Sequence, residues 1–353
     1  MRVALSLLTL DPRIAGGSER YVRGLCHALG RVGANAYVAV VPRNAADVTG
    51  SLPTVVAHGV PVERGPARRA RTLAGLRYRP GALGAALADA EVVHYPVTVP
   101  LPRTDRPTVV TLHDLQHLDQ PTSFSRTKHV FRGRHYDDAA RNADQVVTIS
   151  GWVRDRAIEL LGLDPVRVHV AHHGVDAFWL SDEPTVAREP FLLYPARAWP
   201  HKNHERLFQA FAQLRGQRPE LRLVLTGGGH DWPALPDGVE SRGRVDDATL
   251  RDLYRRAGAL VFPSLYEGFG LPVLEAMACG CPVAAAAAGA IPEISGDAAI
   301  LFDPLSPEAI ATAVDEALAM PPERVALGRR HASGFTWDES ARAHERVYAA
   351  ASR

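Results

Sequence analysis

Lysine is nearly missing from this chain of 353 residues: of 40 basic side chains only Lys128 and Lys202 are lysines. An Ala- and Arg-rich sequence of this kind reads as the product of a high-GC, actinobacterial genome that writes arginine wherever either cation serves. A lysine kept under that bias marks a place for a compact charge with rotatable donors, where the planar fork of arginine would not do. Cysteine is scarce as well. Cys26, Cys279 and Cys281 leave an odd residue and lack the spacing of a zinc ligand set, so they read as small buried side chains. No apolar run approaches a membrane span, and residues 1–10 form a strand-like run without a cleavage site, so no signal peptide is evident and a cytoplasmic location is expected. Two motifs are missing too. No Asp-x-Asp tripeptide occurs, which removes one common way of holding a divalent metal, and no Gly-x-Gly-x-x-Gly follows the first apolar run, which weakens a dinucleotide-binding oxidoreductase.

What is present is an ordinary globular composition, 46% apolar and 22% charged, in a length that suits two domains with separate cores. A net charge of +1 argues against nucleic-acid binding. The halves differ, however: residues 1–180 carry 22 Lys and Arg against 16 Asp and Glu, and residues 181–353 carry 18 against 23. The basic excess gathers in residues 64–79 (RGPARRARTLAGLRYR) and again in 126–141. Solvated helix faces explain such runs, and so does a surface that meets an anionic acceptor or the inner face of a membrane.

Apolar strands are predicted at residues 2–8, 36–41, 92–94, 108–112 and 145–150, with helical stretches between them, and this alternation reads as a parallel sheet covered on both faces. The first strand runs into a loop with Gly16 and Gly17, after which Ser18 is expected to cap a helix through Arg31. Strand 108–112 ends in His113-Asp114, and the carboxyl ends of such strands are where these sheets bind ligands. His113 and His117 would make a metal-like i,i+4 pair only if a helix began there. Residues 181–190, polar with two prolines, read as a linker. A second strand-and-helix series opens at 191–194 and continues with a loop holding Arg197 and Lys202; Asn203 is expected to cap a helix whose Leu207, Phe208, Phe211 and Leu214 form its buried stripe. A strand at 221–226 and a helix at 247–256 follow.

The most informative stretch is 259–283, ALVFPSLYEGFGLPVLEAMACGCPV. A buried strand leads through a glycine-containing turn, Glu267–Gly270, into a helix from Pro272 that Gly280 is expected to stop. Free N–H groups at that helix start would seat a phosphate. Glu267 and Glu275, on either side, would accept hydrogen bonds from hydroxyls.

This Glu-x7-Glu block, EGFGLPVLE, with the AMACGCPV that follows, resembles that of the family 4 retaining glycosyltransferases of GT-B fold. Other segments agree with it: GGSER at Gly16, TLHDL at His113, the passage VHVAHHGVDAFW with His173 in place of the usual Asn, and the Arg197…Lys202-Asn203 pair. The resemblance implies an α/β architecture of two doubly wound, Rossmann-like domains facing each other across a cleft: residues 1–180 for the acceptor, completed by the helix 337–353, and 191–336 for a nucleotide-sugar donor. It also implies roles. Arg197 and Lys202 would bind the donor diphosphate, Gly16 and Gly17 would approach its phosphates, and Arg244 and Val245 would pack against the base. Glu275 would bind the ribose; Glu267 with the backbone of Gly268, Phe269, Gly270 and Leu271 would hold the sugar and outer phosphate; His113 would sit beside the transferred sugar. Two departures stand out: Ala196 replaces a glycine before Arg197, and alanines replace a hydroxyl residue after the PV of the central block.

The expected activity is metal-independent transfer of a hexosyl unit from a GDP- or UDP-linked sugar to a hydroxyl of a cell-envelope glycan, glycolipid or natural product, with no cofactor, since the sugar nucleotide is a substrate. A sugar-nucleotide epimerase or phosphorylase of the same fold, an NAD(P)-dependent oxidoreductase and a non-catalytic sensor are the alternatives.

Overall fold

The computed structural model describes residues 1–11, 16–58, 75, 81–180, 186–229, 232 and 234–353, without the side chains of 81, 82, 85, 86 and 128. The basic run 64–79, apart from position 75, and the first half of the expected linker 181–190 lie outside the described residues. Two compact units emerge: Met1–Gly174 with Thr336–Arg353, and Val175–Phe335.

In the first unit the described strands are β1 (Arg2–Ser6), β2 (Ala36–Pro42), β3 (Thr54–Ala57), β4 (Val92–Tyr95), β5 (Thr108–Leu112), β6 (Gln145–Thr148) and β7 (Val168–Val170). They form one sheet in the order β3-β2-β1-β4-β5-β6-β7, and neighbouring strands pair in parallel. Residues such as Val3, Leu5, Val92, Val93, Val109 and Val147 are buried because both faces of a parallel sheet are covered. The helix after β1 runs Gly17–Val32, and its N-cap position is Gly16 at φ 54° rather than Ser18. The expected serine cap is therefore corrected: Ser18 already lies inside the first turn, and a residue of positive φ ends the loop instead.

The last helix, Trp337–Ala351, is capped by the Thr336 hydroxyl, which accepts from the Glu339 N–H. It docks where glycines make room. A Cβ on Gly24 would come within 2.1 Å of the Trp337 ring, and one on Gly174 within 2.2 Å of the Trp337 nitrogen. Beneath it runs a buried chain of hydrogen bonds whose direction the end carbonyl fixes. His344 Nδ1 donates to the Ser340 carbonyl (2.7 Å), so its Nε2 accepts from the Tyr21 hydroxyl (2.8 Å). Tyr21 in turn accepts from Thr111 (2.9 Å), Thr111 from His94 Nε2 (2.8 Å), and His94 Nδ1 from the Tyr348 hydroxyl (2.9 Å). With both imidazoles neutral every link has one donor and one acceptor. Tyr21 also stacks on His173 at 5.0 Å, and His173 stacks on Trp337 at 5.7 Å.

The second unit repeats the plan with β8 (Glu189–Pro195), β9 (Arg222–Thr226), β10 (Val239–Ser241), β11 (Ala257–Phe262), β12 (Val283–Ala286) and β13 (Ile300–Phe302), in the order β10-β9-β8-β11-β12-β13. Every residue of β11 is buried, and the helix Leu271–Ala278 is buried from Val273 to Ala278. Helix His204–Gln217 buries Leu207, Phe211 and Leu214 as its spacing predicts, while Phe208 is half-buried against Trp232. Cys26 and Cys281 are buried free thiols, pushed by burial up to about 12 and about 11. Among the described residues no helix is long and apolar enough to cross a membrane.

The histidine chain has a pH consequence. Burial lowers His94 and His173 well below 6.5 and His344 to about 4. Between pH 6.5 and about 4 the unfolded chain therefore binds protons that the folded chain refuses, and stability falls as pH falls, by up to roughly 1.4 kcal/mol per pH unit for each histidine. A melting series from pH 7.5 to 4.5 should show Tm declining once pH drops below about 6.5; a flat profile would contradict the buried, neutral assignment.

Candidate functional site

The order of the second sheet reverses between β8 and β11, and the crevice outside the carboxyl ends of two such strands is where open α/β sheets receive ligands. The loop after β8 carries Arg197 and Lys202, and the loop after β11 carries Glu267. Both loops are held by buried polar contacts. Tyr194, fully buried near the end of β8, donates its hydroxyl to the Lys202 carbonyl at 2.7 Å, so the Ser264 hydroxyl at 3.1 Å donates to it. Burial raises the phenol well above its ordinary value, keeping it a donor. The Leu265 N–H donates to the His201 carbonyl at 2.8 Å. Asn203 completes the tie: its side-chain amide donates to the carbonyls of Pro263 (3.1 Å) and Pro304 (2.7 Å), and its oxygen accepts from Arg206 (3.1 Å). The expectation that its side chain caps the following helix is thus corrected. Asn203 occupies the N-cap position at φ 60° without a side-chain cap bond, because its amide is committed to the neighbouring loops.

On this base the predicted cations part company. Lys202 Nζ meets Glu267 Oε1 at 2.5 Å, with both side chains 14% exposed, and the ammonium lies 5.6 Å from the Phe262 ring. Arg197 lies over the Trp199 indole at 5.4 Å, and no carboxylate among the described residues pairs with it. Trp199 itself is 51% exposed.

Glu267 is fixed from its other side. Its carbonyl accepts from the Ala290 N–H at 3.0 Å, and a Cβ on Gly289, at φ 61°, would come within 2.5 Å of that carbonyl oxygen. Gly270, at φ 109°, then turns the chain into the helix, which starts at Leu271 with Pro272 in its first turn and ends at Ala278. The expected start at Pro272 is one residue late, whereas the expected stop holds: after the C-cap residue Cys279, Gly280 at φ 70° closes the helix, its N–H donating to the Met277 carbonyl (2.9 Å) and the Cys281 N–H to that of Ala276 (2.8 Å). The Phe269 ring is buried against Phe335 (6.2 Å), so that residue offers a ligand only its backbone. Glu275 is 2% exposed and accepts from the Tyr254 hydroxyl at 3.2 Å.

Around Ala196 the loops after β8, β9 and β10 are stitched together: Gly227 N–H donates to the Gly243 carbonyl (2.7 Å) and Ala198 N–H to the Gly228 carbonyl (3.2 Å). Arg244 is exposed beside Gly228, and Val245 is half-buried.

In the first unit, His113 follows directly on β5 and its Nε2 donates to the Pro96 carbonyl at the end of β4 (2.7 Å). Burial lowers its pKa, and the neutral ring keeps Nδ1 as an acceptor. The Tyr21 ring packs edge-on to it at 5.0 Å. His117 does not join His113: its Nε2 bonds Asp137 at 2.8 Å. Burial alone would raise the Asp114 carboxyl, but Arg132 at 2.7 Å outweighs it and holds the carboxylate below its ordinary range. Gly16 and Gly17 are exposed, with open space where a Cβ would sit. Residues 12–15 of the loop before them lie outside the described residues.

Sequence reasoning missed Tyr194, Ser264, Tyr254, Trp199 and Gly289. A hydroxyl inside an otherwise apolar strand, as at Tyr194, was the available signal; Gly289 had none apart from its place before Pro292-Glu293.

Comparison with known proteins adds family and fold. The model of glycosyl transferases group 1 matches residues 177–333, and that of Glycosyltransferase Family 4 matches residues 15–177. The O-antigen chain mannosyltransferase B of Escherichia coli is 28% identical over 263 residues, covering 67% of this chain and 69% of that one. A D-inositol 3-phosphate glycosyltransferase of Streptomyces scabiei is 32% identical over 244 residues, 60% of this chain but only 55% of that relative's length. Among solved structures, sucrose-phosphate synthase of Thermosynechococcus elongatus superposes with a TM-score of 0.76 at 22% identity, covering 99% of this chain and 98% of that one. Anabaena HepE in complex with UDP-glucose gives 0.70 at 18% identity, covering 97% of each.

Two glycines test the packing behind Glu267. Gly289→Ala forces a side chain onto the Glu267 backbone at a positive φ and should lower unfolding free energy by about 1–3 kcal/mol. Gly216→Ala, in the helix His204–Gln217 with nothing within 4 Å, should instead raise it by roughly 0.4–1 kcal/mol. Denaturant melts of both variants check the contrast.

Proposed function

Because the chain belongs to family 4 of the glycosyltransferases, we propose that it transfers a hexosyl unit from a nucleoside-diphosphate sugar to an acceptor hydroxyl, with retention and without a metal ion. The observation that carries this reading is the contact of Lys202 with Glu267 at the switch point of the second unit's sheet, with Arg197 on the same loop as Lys202. A departing diphosphate accumulates negative charge, and preorganised cations with helix N-termini are one way to stabilise it. Here those groups are Arg197, Lys202 and the starts of helices His204–Gln217 and Leu271–Ala278. Glu267 and the backbone of Gly268–Leu271 hold the sugar and outer phosphate, Glu275 takes the ribose hydroxyls, and Arg244 and Val245 flank the base. To the first unit the proposal assigns two further roles, His113 Nδ1 for the sugar and Gly16 and Gly17 for the phosphates. The acceptor hydroxyl attacks from the face the diphosphate leaves, and the leaving phosphate takes its proton.

A hexosyl donor is supported by the similar mannosyltransferase of Escherichia coli and by Anabaena HepE, whose structure holds UDP-glucose. GDP- and UDP-linked hexoses are therefore the donors proposed, with a cell-envelope glycan, glycolipid or natural product as acceptor. Peripheral contact with the inner membrane face is proposed for the helix Arg126–Arg132, where Val130 and Phe131 are 58% and 44% exposed beside exposed Arg126 and Arg134.

The test is a thermal-shift panel of UDP, GDP, TDP and ADP in EDTA. One diphosphate should raise Tm, and Lys202→Ala and Glu275→Ala should each lose the shift. Turnover of the matching sugar nucleotide should survive EDTA and fall by roughly 10²–10³ in Lys202→Ala. Stabilisation by NAD alone, or activity abolished by chelator, would sink the reading. For the membrane proposal, co-sedimentation with phosphatidylglycerol vesicles should weaken with salt and with the pair Arg126→Glu, Arg134→Glu; no binding at low salt would dismiss it.

A further inference from the structure

Both partners of the Lys202–Glu267 contact are assigned to the donor, yet they bond each other. The pair is short, at 2.5 Å, and mostly withdrawn from water. An ammonium so placed, with the Phe262 ring on one side at 5.6 Å, needs an anion, and the carboxylate supplies it. The backbones of both residues are fixed independently of the pair. Tyr194 holds the Lys202 carbonyl at 2.7 Å, Leu265 holds His201 at 2.8 Å, and Ala290 holds Glu267 at 3.0 Å. Exchange of partners therefore asks for side-chain rotation only.

We propose that Glu267 acts as an internal counter-anion that competes with the diphosphate for Lys202. When the donor binds, its phosphate takes Lys202, and the released carboxylate turns to the hydroxyls of the sugar. After transfer no donor sugar remains to hold Glu267, so it recaptures Lys202 and loosens the product. The carboxylate thus weakens binding of the free nucleoside diphosphate and speeds its release. This rests on the donor site proposed above.

The sign of the effect makes it testable. Calorimetry and stopped-flow release, with whichever of UDP or GDP stabilises the wild type and with inorganic pyrophosphate, would compare wild type, Glu267→Gln and Glu267→Asp. Glu267→Gln removes the negative charge that faces Lys202, and Glu267→Asp withdraws the carboxylate from it by one methylene on a fixed backbone. Each should bind the diphosphate at least fivefold more tightly and release it correspondingly more slowly, while turnover of the sugar nucleotide falls. Glu205→Gln removes the same charge from the first turn of the neighbouring helix and should change affinity less than twofold, separating competition for Lys202 from general repulsion. Unchanged or weaker diphosphate binding in both Glu267 variants overturns the exchange and leaves the donor site standing. A wild type that binds no nucleoside diphosphate overturns both.

Discussion

Parallel strands end with carbonyls that have no further strand to bond, and in the second unit the Asn203 amide answers for those nearest the site. Two N–H groups on one nitrogen reach Pro263, just past β11, and Pro304, just past β13. Neither proline can offer an N–H of its own, so the ties that order these loop starts have to come from outside. The demand on Asn203 is severe enough to put a non-glycine residue at φ 60°, a conformation asparagine tolerates better than most. Once its side chain is committed there, the loop carrying Arg197 and Lys202 has one path, and Tyr194 and Ser264 hold it to the β11 side. The meeting of Lys202 and Glu267 follows from this framework and does not create it.

The first unit uses buried polarity for a different end. Its chain from Tyr348 through His94, Thr111, Tyr21 and His344 to the Ser340 carbonyl spans two strands and two helices, and the final helix owes its seat to it as much as to apolar contact. The same Tyr21 ring abuts His113, the histidine that ends on the ligand-facing edge of β5. A polar network that anchors a helix and orients a site residue is costly to disturb at any link, since each removed partner leaves a buried donor or acceptor unmet.

Much of this was legible in the sequence, and for a physical reason. The fold is written in the period of its apolar runs, and parallel strands buried on both faces give near-continuous ones: strand 108–112 has the bounds its run predicts, as helix 247–256 has those of its own spacing. The site residues could be named because charge and glycine stand out against such runs, as Lys202 and Glu267 do. What stayed hidden depends on distant partners. Nothing local distinguishes an asparagine that caps its own helix from one that bonds loops 60 and 101 residues away. Gly289 is in the same position, since its need for a bare Cα arises from the Glu267 backbone pressed against it. Likewise His173 reads as a mere replacement for asparagine, although its ring stacks on both Tyr21 and Trp337.

Ala196 shows how a departure from the family's wording can be absorbed. A methyl before Arg197 would limit close approach of a phosphate to that backbone, yet the methyl is turned inward, on a residue 6% exposed. The bare Cα that faces it is that of Gly227, at φ 129°, where a Cβ would lie 2.6 Å from the Ala196 carbonyl oxygen. Closeness between the two loops is thus preserved by the partner strand's residue. Arg197 lies over Trp199, so the alanine before it leaves the guanidinium on the site side of the loop while its own methyl packs inward.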